Sequence, residues 1–117
     1  MANTPKEARE EALNGTLGRD YKEYFLKLLP RTKMMDLVKM DPNMPDSDVT
    51  IEYLMDNVWI VGDPDEVANK IRQLYKNVGG FGLLLAMGHE WQPEDKWKRS
   101  MTLLSEEVIP KLSDLGN

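Results

Sequence analysis

The sequence contains no cysteine and a single histidine in 117 residues. The first absence removes disulfide cross-links and thiolate metal sites and fits a reducing compartment; the second removes most transition-metal chemistry. Long apolar runs are missing as well. No stretch approaches the roughly 18 residues of a membrane span, and Met1-Ala2-Asn3-Thr4-Pro5-Lys6-Glu7 has no signal-peptide core. Positive charge is not in excess: 15 Lys and Arg stand against 20 Asp and Glu, interleaved, for a net charge of −5. That balance argues against nucleic acid or an anionic membrane as partner. These absences lead to the expectation of one cytoplasmic domain with a modest core.

What is present is organised around residues 58 to 88. Asp63 is a good helix N-cap, Pro64 suits the first helical position, and Glu66 sits where a capping-box carboxylate belongs. Val67, Ala68, Ile71, Leu74, Tyr75 and Val78 follow at helical spacing and form one apolar stripe. Gly79-Gly80 ends the helix, because glycine takes a left-handed conformation without steric cost. Val58 to Val61 before it and Phe81 to Met87 after it read as strands. The second carries no polar side chain, as expected of a parallel strand covered on both faces.

Elsewhere, Thr4-Pro5-Lys6-Glu7 is a second capping box and predicts a helix from Pro5 with Ala8, Ala12 and Leu13 inward. Gly15 and Gly18 interrupt it. Leu17, Tyr21, Tyr24, Phe25, Leu28 and Leu29 then recur at helical spacing until Pro30, which should block continuation. This aromatic stripe reads as a core-facing surface, the preferred reading, although the same spacing would serve a ligand platform. Residues 31 to 48 are irregular, rich in Met, and include a plausible short helix at 33 to 39. A connection of that length is a lid, a binding segment or a loosely packed loop. Residues 49 to 57 alternate like a strand but also read as a helical turn from Ile51 to Met55, which is the preferred reading. A last helix starts at Pro93 or Glu94, carries Trp97, Met101, Leu104 and Val108 inward, and should stop near Ile109 at Pro110.

Trp59-Ile60-Val61-Gly62-Asp63-Pro64-Asp65-Glu66-Val67-Ala68, then Leu74-Tyr75-Lys76-Asn77-Val78-Gly79-Gly80-Phe81-Gly82, then Leu83-Leu84-Leu85-Ala86-Met87-Gly88-His89-Glu90-Trp91, and finally Arg99-Ser100 with Glu106-Glu107-Val108-Ile109-Pro110, occur in an order that resembles the C-terminal end of the bacterial luciferase-like, flavin-dependent monooxygenases. Gly18-Arg19-Asp20-Tyr21 and Tyr24-Phe25-Leu26 are similar to the segment ahead of it. The resemblance implies an α/β fold, a partial TIM barrel formed by the last two βα units and preceding helices, with two parallel strands packed against helices. It implies a single domain over 1–117, helical over 5–29, a Met-rich connection over 31–57 and a βαβα unit over 58–112. It also implies FMN, reduced by a separate flavin reductase, with oxygen and a small organic substrate. A whole barrel takes about 200 residues or more, so this chain should be inactive alone.

Sites in such barrels lie at the C-terminal ends of strands, which singles out Gly88, His89, Glu90 and Trp91, and Gly62-Asp63. His89 can exchange a proton near neutrality and is the candidate catalytic group; Gly88 and Trp91 are the candidate cofactor contacts. Each has a plain structural alternative, a solvated or loop-capping histidine and a tryptophan packed on the last helix. Gly79, Gly80 and Gly82 do not make a phosphate cradle, since they close a helix instead of opening one, and Asp63 and Asp65 would repel a phosphate at the next helix. No metal site is expected. The rival to a flavoenzyme segment is a stand-alone, non-catalytic α/β module that binds a partner or itself. Two adjacent apolar strands also predict a homo-oligomer.

Overall fold

A computed structural model describes residues 1–88 and 90–116. All its regular structure among those residues is helical: α1 (Pro5–Asn14), α2 (Thr16–Asp20), a π turn (Tyr21–Phe25), α3 (Leu26–Arg31), short 3-10 turns (Met35–Val38 and Asp46–Asp48), α4 (Ile51–Asn57), α5 (Pro64–Asn77), α6 (Glu94–Leu103), a second π turn (Leu104–Val108) and α7 (Ile109–Lys111). The chain divides into two compact units, residues 1–8 with 60–117, and residues 9–59.

In the first unit, the capping logic of α5 holds. The Asp63 carboxylate accepts from the Glu66 amide at 2.9 Å. At the other end, Gly79 and Gly80 take φ of +78° and +97° and turn the chain out of the helix. The first half of the α5 stripe is buried: Val67, Ala68 and Ile71 pack with Val108, and Met1, Phe81, Leu104 and Leu112 close around them, whereas Leu74 and Tyr75 are half-buried and Val78 is exposed. This is helix-on-helix packing of an amphipathic stripe. The chain start is tied into the same unit, with the Ala2 amide donating to the Gly62 carbonyl at 3.4 Å and the terminal ammonium to Ser100 Oγ at 3.2 Å.

In the second unit Met35, Val49, Leu54, Met55 and Trp59 are buried. Thr50 caps α4 by accepting from the Tyr53 amide at 3.1 Å, so the helical reading of this stretch is the one realised. The helix also runs further than expected, to Asn57. Tyr21 meets Trp59 edge-on at 4.9 Å and Phe25 at 4.9 Å, which makes part of the aromatic stripe a packing surface, whereas Tyr24 is exposed. The Met-rich connection is pinned at two points. The Met40 amide donates to the Tyr53 hydroxyl at 2.7 Å, and Lys39 Nζ bridges Asp36 at 3.1 Å and Asp46 at 2.6 Å with only 6% of its side chain exposed.

Three expectations fail. The expected parallel strands, and with them the α/β partial barrel, do not form among the described residues. Val58 instead closes α4 by donating to the Leu54 carbonyl, and residues 82 to 88 have no regular structure and make no backbone hydrogen bond among the described residues. A parallel pair needs strand neighbours to satisfy both rows of amides, and two short candidates do not amount to a sheet. Pro30 and Pro110 do not stop their helices either; each lies inside one, a few residues beyond a π turn. The wider i→i+5 turn loosens the backbone ahead of a ring that has no amide to donate.

Because Ile71 sits in the buried seam and Leu83 is 84% exposed, Ile71→Ala is expected to cost about 2–4 kcal/mol and Leu83→Ala within about 0.5 kcal/mol, read as urea midpoints at constant slope.

Candidate functional site

Of the residues singled out around the ends of the two expected strands, Gly62, Asp63, Gly88, Glu90 and Trp91 lie in the first unit. Gly62-Asp63 opens α5, and the carbonyl just before it, that of Val61, accepts from Lys70 Nζ at 2.7 Å. The sequence reading missed this lysine, although its position two turns into α5 lets its stem run back along the helix. Asp63, Asp65 and Glu66 make the first turn of α5 strongly acidic. Asp65 is also paired with Lys111, whose ammonium pKa is raised chiefly by that hydrogen bond.

Gly88 and Trp91 are brought together. The indole lies so close over Gly88 that a Cβ there would come within 2.8 Å of Trp91 Cζ2, so a side chain at this position would push the ring aside. Trp91 in turn leans on Trp97 of α6, with centroids 6.1 Å apart and planes tilted by 55°. Half of Trp91 stays exposed, beside the apolar run that precedes it in sequence. His89, the candidate proton donor, lies outside the described residues.

The strongest electrostatic feature of the unit was not legible in advance. Arg72 donates to both carboxylate oxygens of Asp114, at 2.7 and 3.0 Å, and to the Lys111 carbonyl at 2.7 Å. This fork fastens the chain end to α5. It holds the Asp114 carboxyl below the usual carboxylate range and raises the Arg72 guanidinium. Arg99 pairs with Glu7 at 2.8 Å. A cation forty residues from its partner gives no local sequence signal.

Chemically, the region offers an aromatic and aliphatic wall, with Gly88 admitting close approach. No group of three or more His, Asp or Glu side chains able to hold a metal occurs among the described residues. The fit to a flavin nucleotide is partial: the Trp91 face suits a ring, while the first turn of α5 is acidic and Arg72, Arg99 and Lys111 are each paired with a carboxylate, so no phosphate site is assembled among the described residues.

No family model matches the chain. Individual proteins do. It is 36% identical over 112 residues to 3,6-diketocamphane 1,6-monooxygenase of Pseudomonas putida, covering 95% of this chain and 30% of that protein. It is 27% identical over 116 residues to 2,5-diketocamphane 1,2-monooxygenase 1 of the same organism, covering 96% of this chain and 32% of the relative. Among solved structures, the oxygenating constituent of 3,6-diketocamphane monooxygenase from P. putida, a type II Baeyer–Villiger monooxygenase in complex with FMN, superposes with a TM-score of 0.83 at 36% identity, over 94% of this chain and 30% of that one. The chain is similar to about a third of each of these camphane monooxygenases. The resemblance to flavin-dependent, luciferase-like enzymes drawn from residues 59 to 110 is thereby borne out. The chain spans about a third of the length of the camphane monooxygenases it matches.

Two predictions test this geometry. Gly88→Ala is expected to weaken the near-ultraviolet circular dichroism of the Trp91–Trp97 pair with the far-ultraviolet spectrum unchanged. For the Arg72–Asp114 fork the folded-state carboxyl pKa is depressed, so its stabilisation is present above the unfolded pKa and is lost as pH falls through the folded one. Asp114→Asn should therefore lower the denaturation midpoint at neutral pH and match the parent protein once pH falls below the carboxylate range.

Proposed function

We propose that this chain is a segment of an FMN-dependent monooxygenase of the camphane monooxygenase kind, and that it has no turnover by itself. The observation that carries this reading is the match across nearly the whole chain, in sequence and in backbone path, to the FMN-bound oxygenating constituent. The complete enzyme would use flavin reduced by a separate reductase, with oxygen as co-substrate and a small organic molecule to be oxidised, which for the relatives is a diketocamphane. Bound FMN would supply the oxygen-activating chemistry. In this chain, Gly88 and Trp91 would contribute an apolar wall to the ring or the substrate, and His89 a proton donor.

Support for incompleteness comes from the site. An apolar wall without a phosphate cradle cannot hold a flavin nucleotide tightly, because the phosphate carries most of the charge that fixes such a ligand in place. The purified chain is thus expected to keep no FMN through gel filtration and to give no oxidised product with reductase, NADH, FMN, oxygen and a diketocamphane. Flavin absorbance co-eluting with the protein would overturn the claim of incompleteness. Absence of activity when the segment replaces its counterpart in the P. putida enzyme would overturn the functional assignment.

A further inference from the structure

Helix α3 hands over to the Met-rich connection through a helix-ending motif with lysine where glycine is usual. The Lys33 amide donates to the Pro30 carbonyl at 3.3 Å and the Met34 amide to the Leu29 carbonyl at 3.0 Å. That pair of bonds is a Schellman ending, and Lys33 occupies its left-handed position. Its φ is +57°, the single positive φ at a non-glycine residue among the described residues. A side chain in this region carries strain, which persists only where neighbouring contacts hold it.

The nearest such contact is made by Lys39. Its ammonium bridges Asp36 at 3.1 Å and Asp46 at 2.6 Å, and so ties the 3-10 turn at Met35–Val38 to the one at Asp46–Asp48. Asp46 is the stronger partner: it is nearer, and its hydrogen bond is the first cause of the raised Lys39 pKa. One residue on, the Met40 amide donates to the Tyr53 hydroxyl and fixes the middle of the connection to α4. Between Met34 and Val49 the sequence holds four carboxylates, Asp36, Asp41, Asp46 and Asp48, with Lys39 as the one cation among them. Exposed ion pairs contribute little, but here the lysine side chain is covered while its two carboxylates are largely exposed. Loss of a partner leaves a covered charge uncompensated, and the ammonium regains water only if the chain around it moves outward.

We propose that residues 34 to 48 form a strap that opens and closes as one piece, with Lys39 as its latch and Lys33 as its strained hinge, while α3 and α4 stay folded. Latch and hinge oppose each other. Opening releases Lys33 from the left-handed region and rehydrates Lys39. Closing recovers the two ion pairs, the Tyr53 bond and the turn bonds from Met44 to Asp41, Asp48 to Pro45 and Val49 to Asp46. Segments held by a few such contacts open at lower free energy than the unit that carries them. Every group in the latch and hinge lies between Leu29 and Tyr53, so neither depends on the flavoenzyme reading or on what else packs against the chain.

Native-state amide hydrogen exchange of the full chain, resolved by residue, tests this. In the parent protein the amides of Met40, Met44, Asp48 and Val49 should share one opening free energy, lower than that of Leu54 and Val58 in and after α4. Lys39→Met keeps the stem and drops the charge; it should speed exchange at those four amides about tenfold and leave Leu54 and Val58 unchanged. Asp46→Asn should give a smaller acceleration, because Asp36 remains. Lys33→Gly relieves the hinge and should act in the opposite direction, slowing the four amides about threefold. Should Lys39→Met fail to fold, the parent protein and Lys33→Gly still decide the matter, since neither loses a charge from the latch. Unrelated opening free energies for the four amides, no acceleration in Lys39→Met, acceleration that extends through α4 and α5, or unchanged or faster exchange in Lys33→Gly would each overturn the proposal.

Discussion

A backbone leaving a helix must find partners for its amides and carbonyls, and from Gly82 to Gly88 this chain supplies none among the described residues. That constraint organises the molecule. Helices satisfy their own backbone, so everything able to become helical can fold with no outside help. The extended stretches depend on neighbours, and two of them with five or fewer apolar positions each cannot form a sheet that hides both faces. The same residues that would make an excellent interior strand are consequently left as a solvated apolar ribbon.

The remaining stability comes from two small cores, each held by a few well-placed groups. In the first unit the seam of Val67, Ala68 and Ile71 against Val108 is reinforced by the Arg72 fork to Asp114 and by the Lys111–Asp65 pair, which bring the C-terminal turns back onto α5. The exposed pairs are worth little individually, so the seam carries the unit and the charges orient it. In the second unit, Leu54 and Met55 with Trp59 form the centre, and the nearly covered Lys39 ammonium, held by two carboxylates, fixes the course of a connection that has little apolar packing of its own.

The candidate site follows the same division. Its wall, Trp91 seated on Gly88 and propped by Trp97, is local and complete. What a flavin nucleotide would need in addition, a cluster of donors for its phosphate, is not assembled here; the helix start best placed for it is filled by Asp63, Asp65 and Glu66. A chain that spans about a third of its relatives' length and carries an aromatic wall without a charge cradle is consistent with a site shared among segments.

Local chemistry made much of this readable in advance. The caps at Asp63 and Thr4, the glycine exit at Gly79-Gly80 and the first half of the α5 stripe depend on neighbours within a few residues, and these are realised. Family resemblance was legible too, because an ordered succession of short motifs survives divergence. Tertiary structure alone decided the rest. Pairing of the runs at 58 to 61 and 81 to 87 is non-local, and apolar composition cannot say whether a partner strand is at hand. The Arg72–Asp114 and Arg99–Glu7 bridges join residues forty or more positions apart. Passage of the helices through Pro30 and Pro110 rests on π turns, whose wider hydrogen-bond spacing leaves no mark in a hydrophobic period of 3.6.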